Sequence, residues 1–132
     1  MIVLDTDIVS VLMRRPPDIL VRRLGQVPVR EQATTTITLG ELAYGALRAG
    51  RPELYGRALS LTVGVSVLPF GEEAVPHYAN VRLGLERGGA RLADPDLRIA
   101  AIVLAHDHTL ITGNVRHFAR VPGLLVENWL SN

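Results

Sequence analysis

Apolar positions in this chain follow two rhythms that alternate from one end to the other. Ile2-Val3-Leu4 is an unbroken apolar triplet stopped by Asp5, and so short a run between polar residues predicts a buried strand. The rhythm then turns helical. Ile8, Val9, Val11 and Leu12 mark a first amphipathic helix ending at Arg14-Arg15, and beyond Pro16-Pro17 a second covers 18–24, closed by Gly25. A strand is predicted over 33–36. From Thr38 the spacing of Leu39, Leu42, Ala43, Ala46 and Leu47 predicts a third helix, in which Thr38 and Glu41 read as a capping box with Glu41 in the first turn.

The remaining pattern repeats the alternation. Helices are predicted over 53–61, 72–87 and from Asp94-Pro95 to about 106, the last with Asp as its cap and Pro at its first helical position. The β-branched stretch 63–68, then 109–112 and 124–126, predict strands, with a short helical turn over 115–118. Strands alternating with helices predict an α/β fold: an open parallel sheet of about five strands with helices on both faces. No linker, repeat or low-complexity segment interrupts the pattern, so 1–132 reads as a single domain.

Composition narrows the chemistry. The chain has 132 residues, 48% of them hydrophobic, enough for one ordinary core. It has no cysteine, which excludes disulfides, thiolate metal sites and cysteine nucleophiles, and leaves oxygen or imidazole nitrogen to hold any metal. No apolar run approaches the ~18 residues of a membrane span, so a cytoplasmic protein without membrane partners is expected. Formal net charge is only +1, and every one of the 14 basic residues is arginine. A basic field therefore does not announce a nucleic-acid partner, and any fold that needs a phosphate-binding lysine is disfavoured.

Three acids stand at equivalent places. Asp5 ends the first strand, while Glu41 and Asp96 open predicted helices. In an open α/β sheet, strand ends and the helix starts that follow them lie along one edge, where ligands bind near the topological switch point. Clustered carboxylates repel one another unless a cation neutralises them, so their convergence suits Mg²⁺ or Mn²⁺, which activate water for attack on a phosphodiester. Taken singly, each acid has a plainer role as a cap or a complement to a helix dipole, and spacing alone leaves the two readings open.

The local sequences go further. Leu4-Asp5-Thr6-Asp7, the stretch 37–45 around Glu41, Asp96-Leu97-Arg98-Ile99-Ala100-Ala101 and Leu110-Ile111-Thr112-Gly113-Asn114 resemble, in order, the successive motifs of the PIN-domain family, most closely its VapC toxin branch. His117-Phe118 and Val121-Pro122-Gly123-Leu124 continue the likeness. The resemblance implies a Mg²⁺-dependent endoribonuclease, with Mn²⁺ able to substitute. It also implies a homodimer that pairs with a small antitoxin laid in an apolar groove of the first three helices. By position it implies Asp5, Glu41 and Asp96 as metal ligands and catalytic acids, with Thr6 and Thr112 as hydroxyls near the metal. Asn114 falls where many members have a fourth acid and Asp7 where many have Asn, so a second metal would find one charge fewer.

Two other functions fit parts of the same sequence. Asp5-Thr6-Asp7 after a strand also looks like a haloacid-dehalogenase phosphohydrolase, with Asp5 a covalent nucleophile, but that family uses a later basic residue, most often lysine. A PIN-like module that only binds RNA or a partner protein is the other rival. His106-Asp107-His108 suggests zinc, yet it precedes the strand at Thr109 and so lies at the edge opposite Asp5. Asp94 reads as a helix cap with a second-tier claim on the metal. His77 and His117 read as packed or surface histidines, the pairs Arg14-Arg15 and Arg22-Arg23 as solvated or as RNA-backbone contacts, and Trp129 and Tyr44 as core aromatics or base-stacking platforms.

Overall fold

The computed structural model describes residues 1–131. Five strands pair in one all-parallel sheet: β1 (Ile2–Leu4), β2 (Gln32–Thr35), β3 (Ser66–Leu68), β4 (Thr109–Ile111) and β5 (Leu125–Glu127), in the spatial order β3-β2-β1-β4-β5. β1 is the centre, so its two neighbours come from distant parts of the chain. Val3 lies opposite both Ala33 and Leu110. The helices are α1 (Thr6–Leu12), α2 (Asp18–Gly25), α3 (Thr36–Arg48), α4 (Glu53–Leu61), α5 (Val75–Arg87), α6 (Asp94–His106) and α7 (Val115–Phe118).

Side chains of successive strand residues point to opposite faces, and the core divides accordingly. Val3, Ala33 and Leu110 face a layer of α5, α6 and α7 containing Leu85, Ile99, Ala100, Val103 and Phe118. Leu4 and Ile111 face the other layer, where Ile8 and Val9 of α1, Leu20 of α2 and Trp129 pack. Fully burying each large aliphatic side chain contributes about 1.5–3 kcal/mol, so the sheet is held from both sides. The layered α/β architecture expected from the sequence is present, with each strand within a few residues of its expected place.

Four element boundaries differ for physical reasons. Helix α3 starts at Thr36, because Thr35 is its cap: the Thr35 hydroxyl accepts from the Thr38 N–H at 3.0 Å. The capping box expected between Thr38 and Glu41 is therefore absent, and Glu41 sits in the second turn. In α6 the cap is Ala93, with Asp94 already helical and Pro95 behind it. The expected strand 63–68 shortens to Ser66–Leu68, since Gly64 at φ +83° turns the chain just before it. The helix expected from 72 opens as a 3-10 turn, Glu72–Ala74, and becomes α-helical at Val75 with Pro76 in its first turn.

Candidate active site

The first strand delivers Asp5 to the sheet edge at the switch point between β1 and β4, where connections leave in opposite directions. Its backbone N–H still donates to the Ile111 carbonyl at 3.2 Å, so the residue is held as a continuation of the strand. Its carboxylate caps α1, accepting from the Ile8 N–H at 3.0 Å. Capping and a place in the site are thus the same geometry here rather than alternatives. Asp5 is only 4% exposed, and burial pushes its carboxyl up to about 6, against the pull of hydrogen bonds from Thr112 and the Ile8 N–H.

Asp5, Thr6, Asp7, Glu41, Asp96, Asn114 and Phe118 line one cavity of about 190 Å³. The three acids singled out in the sequence meet in it, 36 and 55 residues apart along the chain, and Asp7 and Asn114 join them. Asp96 is half-buried in the first turn of α6; its carboxyl is raised chiefly by burial, then by the charges of Glu41 and Asp7, while His117 pulls it down. Glu41 is positioned from α3, where its Oε1 accepts the Thr6 hydroxyl proton at 2.5 Å. Thr38 stands 3.2 Å from the same hydroxyl, so a threonine layer joins α1 to α3 beneath the carboxylate.

Thr112, fully buried, follows β4 and stands beside Asp5; its hydroxyl oxygen also accepts the Asn114 N–H at 2.9 Å. That bond bends the chain after β4 so that Asn114 reaches the cavity. The Asn114 N–H thus closes a turn, and Asn114 lines the site as well.

Two sequence readings are corrected. Asp94 is no cap and does not line the acid cavity: its carboxylate is taken by the Tyr78 hydroxyl and by Arg98 Nε, both at 2.6 Å, on the outer side of α6. Glu41 owes its place to Thr6 rather than to a helix start. His117, read as a packed or surface histidine, is on the surface, on the same short helix as Phe118 of the cavity wall. The signal for it lay in the resemblance through His117-Phe118, not in any spacing. His106 and His108 stack at the far edge, beside the strand start paired with Ile2, as the topology required. Trp129 packs in the core with its Nε1 donating to Glu127, and Tyr44 is 64% exposed.

The donors at the cavity are carboxylate, hydroxyl and amide oxygens, a hard set that suits Mg²⁺, Mn²⁺ or Ca²⁺ and not zinc. Among the described residues no three acid or histidine side chains already converge tightly enough to enclose an ion. Asp5 and Glu41 each have one carboxylate oxygen already engaged, by the Ile8 N–H and by the Thr6 hydroxyl. Such a site fits a cation that keeps several waters and takes one or two carboxylates directly, as Mg²⁺ does. The Asp5 and Asp96 carboxyls are raised chiefly by burial and then by neighbouring carboxylates, and a cation would favour the charged form of both.

The PIN domain model matches residues 2–124. The chain belongs to the PIN domain family. It is 30% identical over 128 residues to Ribonuclease VapC2 of Rickettsia felis, covering 96% of each chain. It is 29% identical over 130 residues to the tRNA(fMet)-specific endonuclease VapC of Salmonella typhimurium, again with 96% of each covered. The structure of VapBC2 from Rickettsia felis bound to a DNA fragment from its promoter superimposes with a TM-score of 0.88 at 29% identity, over 98% of this chain and 99% of that one. As a PIN domain related to ribonucleases, the protein is a metal-dependent nuclease. A phosphohydrolase built on a nucleophilic Asp5 is set aside with that membership. Among the described residues of this PIN domain, no helix is long and apolar enough to cross a membrane.

Proposed function

We infer that this PIN domain is a Mg²⁺-dependent endoribonuclease, the toxin of a toxin-antitoxin pair, and that its whole chain serves as one nuclease domain. The observation that carries the reading is the single cavity lined by Asp5, Glu41 and Asp96, with Asn114 on its rim, at the switch point of the sheet. Its VapC relatives and the VapBC structure supply the substrate class and the partner class. Mn²⁺ is expected to substitute for Mg²⁺, since both take hard oxygen donors.

In this reading Asp5 and Asp96 hold the ion, with Glu41 reached directly or through water. A bound divalent ion lowers the pKa of water and neutralises charge on a phosphodiester oxygen. The chain's own contribution is positional. Thr112 and Ile8 fix the Asp5 carboxylate, Thr6 fixes Glu41, and the buried Thr35 and Thr38 keep the start of α3 in place.

The antitoxin's place is supported by a groove of about 530 Å³ between α1, α3 and α4, lined by Met13, Leu42, Ala46 and Leu54 and reaching Glu41. An amphipathic helix laid there would close the approach to the acids. The groove involves α4 in place of the second helix expected from the sequence. A homodimer follows from the family resemblance. The decisive experiment incubates the purified chain with end-labelled transfer and ribosomal RNA in Mg²⁺, Mn²⁺ or EDTA. Cleavage that needs the metal and disappears in Asp96→Asn is expected; metal-independent products, or full activity in Asp96→Asn, would overturn the reading. A PIN-like module that only binds RNA would yield no products at all.

A further inference from the structure

An acidic pocket is a poor host for a polyanion. Four carboxylates, those of Asp5, Asp7, Glu41 and Asp96, line the cavity, and the chain as a whole carries a formal charge of only +1. A long-range basic field therefore cannot hold an RNA strand against these acids, so fixed cations at the rim must do it.

The wall formed by α7 supplies them. Asn114, just before the helix, and Phe118, at its end, line the acid cavity. Arg116 and His117 of the same helix, with Arg120 just beyond it, line a second concavity of about 260 Å³. One short helix thus separates the two hollows, anchored by Phe118, which is 1% exposed in the core. His117 is tied to the same group, its Nδ1 lying 3.4 Å from Arg120 Nη2.

Arg120 is held in place: its Nε donates to the His117 carbonyl at 3.3 Å and its Nη2 to the Arg91 carbonyl at 3.0 Å. These bonds leave the two donors of Nη1 without a partner among the described residues, and Arg116 makes no side-chain bond among them. A fork pre-set by carbonyls, beside a second free guanidinium, matches the oxygens of a phosphate.

We propose that Arg116, His117 and Arg120 form a phosphate subsite that grips the RNA backbone at a nucleotide flanking the one cleaved. The proposal rests on the ribonuclease reading and names how that site holds its substrate. Two of the three lining residues are arginines, whose guanidinium forks pair with phosphate oxygens whatever the base, so the grip is on backbone.

Binding is measured by fluorescence anisotropy of a labelled single-stranded oligoribonucleotide in EDTA, across a series of salt concentrations, and cleavage is measured separately in Mg²⁺. Arg116→Gln is expected to weaken binding about tenfold, the size of one lost charge-assisted contact. It should also lower the slope of log affinity against log salt by about 0.7, as for one phosphate contact on a single strand. Arg116→Lys should recover most of the affinity. In Mg²⁺ the KM should rise with kcat within twofold, and Mn²⁺ affinity by calorimetry should stay unchanged. Arg120→Gln should follow Arg116→Gln, with circular dichroism checking its fold.

Wild-type affinity and salt slope in both Arg116→Gln and Arg120→Gln would overturn the subsite, as would absence of wild-type binding. An acidic segment of a partner as the true occupant would give that same unchanged RNA binding. Wild-type binding that responds to Arg116 without any cleavage in Mg²⁺ would instead sink the ribonuclease reading and leave the subsite standing.

Discussion

The Thr6 hydroxyl donates to Glu41 at 2.5 Å, joining the first turn of α1 to the second turn of α3 directly beneath the acid cavity. No other hydrogen bond to Glu41's carboxylate is present among the described residues, so this one bond decides where the carboxylate points. Thr6→Val, which keeps the shape and removes the donor, should lower kcat/KM about tenfold, the worth of a hydrogen bond to a charged group. Thr6→Ser should retain activity. Steady-state cleavage of a labelled oligoribonucleotide distinguishes them; equal rates in Thr6→Val and wild type would show that Glu41 is positioned by something else.

Asp5→Asn and Asp96→Asn each remove a charge with almost no change in volume, so both should fold. Cleavage should drop at least a hundredfold in each, through loss of metal at working Mg²⁺ concentrations. Asp5→Asn keeps the α1 cap, because Asn accepts from the Ile8 N–H as well as Asp does. Circular dichroism and a Mg²⁺ titration of activity check both halves of the expectation.

The Asp5 carboxyl, raised from 3.8 to about 6 by burial, makes stability depend on pH in a defined sense. The folded, metal-free chain keeps its proton over a range where the unfolded chain has lost it. Stability from this group is therefore full below about 4, falls as pH rises through about 6, and stays low above. Asp96, raised in the same direction, adds to the trend. Asp5→Asn has no such proton to lose, so its stability advantage over wild type should grow between pH 4 and pH 7, to at most about 3 kcal/mol. Urea unfolding of both proteins in EDTA across that range measures the difference. A constant difference would mean that Asp5 titrates normally.

Asn114 occupies a wall of the acid cavity with its side chain, while its N–H is already used by Thr112. Asn114→Asp should therefore leave the turn intact and add a charged oxygen for a hard cation. The Mg²⁺ concentration giving half-maximal cleavage should fall severalfold, and Asn114→Ala should have a modest effect. Titration with Mn²⁺ by calorimetry provides the check; identical metal affinity in Asn114→Asp would confine Asn114 to its turn.

Much of this architecture could be read from residue order, because buried parallel strands and amphipathic helices leave opposite signatures. Ile2-Val3-Leu4 admitted one reading, and the structure agrees. The start of α3 was harder: Thr35, Thr36 and Thr38 are all competent caps, and only the bond from the Thr38 N–H to Thr35 selects among them. That ambiguity made Glu41 look like part of a capping box, and its partner Thr6, 35 residues away, leaves no trace in local spacing. Asp94 failed for the same reason, since Tyr78 and Arg98 draw it outward through tertiary contacts. The acids themselves were legible as a set through the family motifs, whereas spacing alone left each of them an ordinary helix-end residue.

The central position of β1 has a consequence for how the protein is made. Asp5 is made more than about a hundred residues before β4 and the Thr112 that follows it, and Asp96 lies on the helix just before that strand. A growing chain holds one acid from the outset and a second by residue 41, yet cannot fix Asp5 between both neighbours until β4 has emerged. Domains fold as units once their sequence is available, and pairings between distant segments form late. A chain that has not yet reached β4 therefore holds Asp5 against one neighbouring strand only, and its acids are not yet assembled.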